Sequence, residues 1–223
     1  MPSEAARALP GPRTLIIACG ALAPELVALT RRPGMDHLDL ACLPPHLHDR
    51  PDRIPDAVRR RIQAARATHD RIFVAYADCG TGGLLDRVLG EENVERLPGA
   101  HCYQVFAGQA AFDALMADEP ATFFLTDFLA RNFERLVVRG LGLDRHPELL
   151  AVYFGAYRRV VYLAQSHDPG LAHAARAAAT RLGLTFELRE TGYGDLATAI
   201  EALAAVADVS ALRATVTVGA GAA

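Results

Sequence analysis

Ile72-Phe73-Val74-Ala75-Tyr76-Ala77-Asp78-Cys79-Gly80-Thr81-Gly82-Gly83-Leu84-Leu85 is an unbroken apolar run, then a carboxylate and a thiol, then a Gly-rich turn that opens on a helical pattern. A run of this length with no alternation is what a parallel strand covered on both faces requires. Short, nearly continuous apolar runs recur at Thr14 to Ala18, His37 to Ala41, Phe123 to Thr126, Val160 to Ala164 and Thr185 to Arg189. Between these runs the spacing turns helical. Ile54 to His69 carries Ile54, Ala57, Val58, Ile62 and Ala65 on one face, Gly170 to Leu182 stops at Gly183, and 195–207 is similar. The alternation predicts an α/β fold: an open, mostly parallel, Rossmann-like sheet with helices on both faces and right-handed crossovers. The middle, Phe106 to Tyr157, reads as largely helical, interrupted by Gly140 and Gly142, and is expected to cap one edge of the sheet. One α/β domain over 13–208 is expected, with room for a two-lobed arrangement dividing near residue 108. Residues 1–12 and 209–223 read as loose termini.

The chain has 223 residues, of which 51% are hydrophobic and 22% charged, enough for a sizeable core and too apolar for a disordered chain. Its net charge of −3 lacks the basic excess of a sequence-independent nucleic-acid binder, so no nucleic-acid partner is expected. Every one of the 23 positive side chains is Arg. Without Lys there is no Schiff base, no catalytic ammonium and no phosphate-loop Lys. No apolar run approaches the roughly 18 residues needed to span a bilayer, and the stretch Thr14 to Ala18 is too short for a signal peptide. A soluble, cytoplasmic protein with no membrane partner is expected.

In that compartment four cysteines are not expected to pair as structural disulfides. Each follows a strand: Cys19 the first, Cys42 the second, Cys79 the third, and Cys102 a short possible strand at Val94 to Leu97. In a parallel sheet all four emerge at the carboxyl edge, where open α/β folds place their crevice. Cys19 and Cys42 are 23 residues apart, as are Cys79 and Cys102, which hints at two related strand–helix units. Two readings stand. Free Cys is commonly a buried small hydrophobe. Four thiols at strand ends also suit a soft metal, with His101 beside Cys102 as a further ligand, although no Cys-x-x-Cys pair is present.

Cys79 has the most favourable setting for a reactive thiol. It precedes a helix start whose backbone N–H groups favour an anion, so its pKa is expected to fall, and Thr81, Gly82 and Gly83 are expected to bind a substrate phosphate or carboxylate. An ordinary tight turn explains the glycines equally well. The loop His46-Leu47-His48-Asp49 could supply an imidazole or be simply solvated. Asp127, Gln165 and Tyr193 fall at later strand ends and are candidate substrate contacts, with helix capping as the alternative for Asp127. His37, His69, His146, His167 and His173 read as surface or helix-end residues.

Several separated strings together resemble one family. They are Asp78-Cys79-Gly80-Thr81-Gly82-Gly83, Gly99-Ala100-His101-Cys102-Tyr103, Phe124-Leu125-Thr126-Asp127-Phe128-Leu129, Gly142-Leu143-Asp144-Arg145-His146-Pro147-Glu148-Leu149, Tyr153-Phe154-Gly155 and Thr191-Gly192-Tyr193-Gly194. The family is the one catalogued as domain of unknown function 1638, and the resemblance runs from about Leu15 to Leu203. The chain has His48-Asp49-Arg50-Pro51 where the family pattern has His-Asn-Arg-Pro. The resemblance implies a genomic neighbourhood shared with corrinoid-dependent methyltransferases and their corrinoid proteins, and hence partners of that kind. The expectation is a metal-thiolate protein of one-carbon metabolism, taking part in corrinoid-linked methyl transfer to or from a small substrate. Zinc would be held by Cys19, Cys42, Cys79 and Cys102, or by three of them and a substrate. An iron–sulfur electron donor to a corrinoid and an accessory binding module are the alternatives. A transferase or hydrolase with Cys79 as nucleophile is a third, for which the sequence offers no general base.

Overall fold

The computed structural model describes residues 12–205, so the leader expected at 1–12 and the tail expected at 209–223 lie almost wholly outside the described residues. Two parallel sheets are present rather than one. The first contains β1 (Thr14–Cys19), β2 (Leu38–Leu43), β3 (Arg71–Ala75) and β4 (Glu95–Arg96) in the order β2-β1-β3-β4. The second contains β5 (Thr122–Leu125), β6 (Arg159–Ala164) and β7 (Thr185–Glu190), in that order. All six strands read from apolar runs form, shifted by no more than two residues at either end. What changes is their partners, and the fold remains mixed α/β with parallel sheets flanked by helices.

The chain divides into two compact units, one running to Leu97 and resuming at Ala197, the other spanning Pro98–Leu196. The division expected near residue 108 therefore falls about ten residues earlier, and the chain returns to the first unit near its end: Arg32 and Glu201 form an ion pair at 3.0 Å. The segment expected to cap a single sheet instead belongs to a unit with its own sheet.

In the first unit, β1 is buried along its whole length, as a central parallel strand must be. Helices α1 (Ala23–Thr30), α2 (Ile54–Ala65) and α3 (Leu84–Glu92) join its strands. Ile54, Val58 and Ile62 of α2 are fully buried one turn apart, each stabilising the unit by about 1.5–3 kcal/mol. The strand order is what matters for a site. The chain leaves β1 for β2 on one side, then crosses to β3 on the other side of β1. The carboxyl ends of β1 and β3 thus flank a topological switch point, the place where open α/β sheets form a ligand crevice.

In the second unit, α4 (Cys102–Ala107), α5 (Gln109–Asp118), α6 (Asp127–Arg131), α7 (Leu149–Phe154) and α8 (Pro169–Leu182) surround the sheet, with a π-helical turn at Glu134–Arg139. Alternate residues of β6 separate the two faces. Val160, Tyr162 and Ala164 join a core with Ala130, Val138, Leu171 and Ala175, while Val161 and Leu163 pack with Phe124, Leu115 and Phe112. Both faces are therefore covered. Helix α8 shows why its boundaries were readable: Asp168 caps it by accepting from Gly170 N–H at 2.8 Å, and Gly183 ends it at φ 71°. Residues 194–205 form a last helix, which stands where 195–207 was expected.

Candidate functional site

The end of β1 turns directly into helix. Cys19 caps a short 3-10 turn (Gly20–Leu22) that leads into α1, and its Sγ accepts from Ala21 N–H at 3.3 Å. The turn requires Gly20, because a Cβ there would lie 2.9 Å from the Leu43 carbonyl oxygen. That close approach lets the chain after β2 fold over the end of β1. It carries His48, on the 3-10 turn Pro45–Asp49, to within 3.7 Å (Nδ1) of Cys19 Sγ. The same Nδ1 is 3.2 Å from the Pro45 carbonyl oxygen.

Tyr76, immediately after β3, completes the group. Its ring stacks on His48 with centroids 6.3 Å apart and planes inclined by 14°. The Tyr76 side chain is fully buried, and its hydroxyl lies near the Cys19 sulfur without reaching hydrogen-bond geometry, so it has no partner. An orphaned buried hydroxyl is a rarity that asks for an acceptor. Cys42, opposite Ala18 in the parallel register, is exposed at the rim of the group, and Cys79 follows on from Tyr76. Cys19 therefore sits at the switch point with His48 and Tyr76, Cys79 follows three residues beyond Tyr76, and Cys42 lies on β2, on the other side of β1.

Burial governs their protonation. It pushes the Cys19 thiol up to about 11, against the opposing pull of Ala21 N–H. It pushes Cys79 up to about 12, with Cys19 adding to the effect, and raises Cys42 as well. The expected fall at Cys79 is thus a rise. Burial also raises Tyr76, and the three thiols add to it. Desolvation by the surrounding protein lowers the His48 pKa although the residue as a whole is exposed, so the neutral imidazole is favoured at neutral pH.

The Gly-rich turn explains the reversal at Cys79. Its donors are already occupied by Asp78, whose carboxylate accepts from the Thr81 hydroxyl at 2.6 Å, from Gly83 N–H at 2.9 Å and from Gly82 N–H at 3.1 Å. Burial alone would raise the Asp78 carboxyl, but these hydrogen bonds outweigh it and hold the group below its ordinary range. Thr81, Gly82 and Gly83 thus bind an anion that belongs to the chain itself. Cys79 stands at φ 51°, in the left-handed region that a residue other than Gly seldom occupies.

The second unit places its predicted residues differently. The Asp127 carboxylate, buried at the start of α6, accepts from the Tyr162 hydroxyl at 2.6 Å, from Gln165 N–H at 3.0 Å and from the Ser166 hydroxyl. Gln165 Oε1 in turn accepts from Asp127 N–H at 2.7 Å, and its amide donates to the Leu163 carbonyl. Asp127 and Gln165 are brought together, but their polar atoms are taken up by the fold. The cap of α6 is Thr126, which accepts from Leu129 N–H, and not Asp127. Tyr193 is half-buried on the turn preceding the last helix. Cys102 opens α4 in this unit, beside an exposed His101 whose ring lies 6.2 Å from that of Tyr103.

Among the described residues no group of three or more His, Cys, Asp or Glu side chains is placed to hold a metal ion. The ligand set Cys19, Cys42, Cys79, Cys102 and His101 is not assembled, and the residues as they stand fit neither a four-thiolate zinc nor an iron–sulfur cluster. One thiol–imidazole pair, Cys19 with His48, is in contact. A cavity of about 630 Å³ opens elsewhere in the first unit, near the amino ends of β3 and β4. Its Arg66 and Arg71 are paired with Glu92 and Glu95. Among the described residues no helix is long and apolar enough to cross a membrane.

The family described as "Protein of unknown function (DUF1638)" matches residues 42–200. The chain belongs to this family. The match takes in Cys42, His48, Tyr76, Cys79, Cys102, Asp127, Gln165 and Tyr193 and begins after Cys19, so it is shorter at its start than the resemblance from Leu15. No curated protein and no solved structure matches the chain.

Sequence reasoning missed one member of the group, Tyr76, and left another, His48, between two readings. Tyr76 reads as one more strand residue, and only the end of the β3 register shows that its hydroxyl lies beside the Cys19 sulfur. His48 was visible as an imidazole near Cys42, yet the signal that selects it, the glycine at position 20 that admits its loop, lies in a different segment.

Proposed function

We propose that this protein is a thiol-dependent component of one-carbon metabolism, acting in corrinoid-linked methyl transfer with its chemistry at the carboxyl edge of the first sheet. The observation that carries this reading is the Cys19 thiol beside His48 and Tyr76 at the carboxyl ends of β1 and β3, with Cys79 three residues beyond Tyr76. Thiols are the soft nucleophiles that accept methyl groups, and a crevice at that point is where the fold presents a small substrate. The corrinoid partner rests on the family resemblance and the neighbourhood it implies.

The test is methyl transfer under anaerobic conditions, with a methylated corrinoid protein as donor and the full chain as wild type or with all four cysteines changed to Ser. Transfer that depends on the thiols is the expected result; equal transfer by both proteins overturns the reading. Zinc and acid-labile sulfide are measured on the same samples. Near-stoichiometric zinc lost in Cys79→Ser would restore the metal-thiolate form of the proposal, with ligands rearranged from their present positions.

A second reading has one observation in its favour. All three thiols of the group are held protonated by burial, as in a module that binds a corrinoid protein without chemistry of its own. Retained partner binding by the cysteine-free protein, with no methyl transfer in either form, would select it.

A further inference from the structure

We infer that Cys19 and His48 form a thiol–imidazole dyad in which Cys19 Sγ accepts a methyl group from a compact carbon electrophile and His48 Nδ1 takes the thiol proton. The choice of a methyl donor rests on the function proposed above; the dyad rests on geometry. Cys79 is the thiol the sequence favours, and no general base is legible for it. The structure supplies a base for a different thiol.

Four features converge on Cys19. Its sulfur caps a helical turn and receives Ala21 N–H at 3.3 Å. The buried Tyr76 hydroxyl, which has no partner, lies beside the same sulfur and gains an acceptor when the thiol ionises. His48 Nδ1 is 3.7 Å away, within reach of the S–H proton when the ring carries its own proton on Nε2. The Pro45 carbonyl, 3.2 Å from Nδ1, then accepts from the imidazolium N–H that the transfer creates. A nucleophile, a base and a group that orients the base is the arrangement that activates weak nucleophiles. The rival thiols lack it. Burial opposes ionisation at all three thiols, and among them Cys19 is the one with an imidazole nitrogen in contact.

The step balances without an oxidant or reductant. The bond from Cys19 Sγ to the methyl carbon forms as the bond from that carbon to its leaving atom breaks. The leaving atom keeps the electron pair, and the thiol proton goes to His48 Nδ1. Because His48 is an exposed residue, the proton can then pass to water. Cys19 itself is only 3% exposed, which restricts the electrophile to a group as small as methyl.

The test uses the full chain, without oxygen, and iodomethane as the methyl donor, with each cysteine followed by peptide mass spectrometry. Cys19 is expected to be methylated ahead of Cys79, and ahead of Cys42 despite the exposure of the latter. His48→Ala should slow Cys19 by about tenfold or more while Cys42 keeps its rate, and added imidazole should restore part of the loss. Tyr76→Phe should slow Cys19 alone. A bulky maleimide should reverse the order and label Cys42 first. Methylation of Cys79 or Cys42 ahead of Cys19, or an unchanged Cys19 rate in His48→Ala, overturns the dyad. An unchanged unfolding midpoint in denaturant reports that the variant is folded. Since iodomethane replaces the biological donor, loss of the dyad and loss of corrinoid-linked transfer are read separately.

Discussion

The two sheets end in opposite ways. At the carboxyl edge of the second, a buried carboxylate, a phenol, an amide and a hydroxyl form a closed set: Asp127 accepts three hydrogen bonds, and Gln165 spends both ends of its amide. At the corresponding edge of the first, the Cys19 thiol, a neutral imidazole and a phenol lie together, and the phenol hydroxyl makes no hydrogen bond of full geometry. Closed polar networks rigidify a fold, whereas unsatisfied buried groups persist where something else is gained. The strand orders agree with this. The second sheet is laid down in sequence order, β5-β6-β7, and the first reverses about β1, creating a switch point. The comparison assigns stability to the second edge and leaves the first as the place for the chemistry proposed above.

The largest way to break it is Asp127→Ala. Removing the acceptor strands the Tyr162 and Ser166 hydroxyls and Gln165 N–H, each at about 1–3 kcal/mol, so a loss of about 3 kcal/mol or more is expected. Denaturant midpoints at unchanged m-value measure it. A loss below about 1 kcal/mol would mean that the second edge is no more committed to stability than the first.

The legibility of the chain follows the same divide between local and distant causes. The longer strands are readable because a parallel strand shows itself in four to six consecutive residues, as in Arg159–Ala164. Which sheet a strand joins is not, because β4 and β5 differ only in partners dozens of residues away. The position of Cys19, Cys42 and Cys79 at or just beyond the carboxyl ends of their strands is local and therefore legible, although Cys19 and Cys42 are strand residues and not the first residues after them. The pKa direction at Cys79 is not legible: the glycines of 80–83 show that donors are available, but not that Asp78 folds back to take them. Asp127 and Gln165 were found for their place at strand ends, while Ser166 and Tyr162, which exhaust them, carry no signal until β5 and β6 are paired.

A sharper test compares the two phenols. Tyr162→Phe removes a donor from a buried carboxylate and should destabilise by about 2 kcal/mol. Tyr76→Phe removes a hydroxyl that is buried without a partner, and should be neutral or stabilise by up to about 1 kcal/mol. The opposite signs, read from thermal or denaturant unfolding, would establish that the first edge sacrifices stability for its group of thiols. Equal losses would mean that Tyr76 is already paired in solution and the contrast is void.

The smallest effect concerns the backbone. Among the described residues, the two positions other than Gly with positive φ are Cys79 and Asn93, both in the first unit. Asn93 is unremarkable in energy, since Asn at a helix C-terminus tolerates the left-handed conformation. Cys79, at φ 51°, pays a steric penalty of roughly 1 kcal/mol that Gly would not. Comparing Cys79→Gly with Cys79→Ala removes the thiol in both and leaves only the Cβ. The Gly variant should be more stable than the Ala variant by about 0.5–1 kcal/mol, less than the full penalty because Gly also loses more freedom on folding. That outcome would place a thiol at 79 against the preference of its own backbone, a strain that packing does not require. If Ala proves the more stable, the conformation at 79 is imposed by its neighbours without strain, and the thiol there needs no explanation beyond filling space.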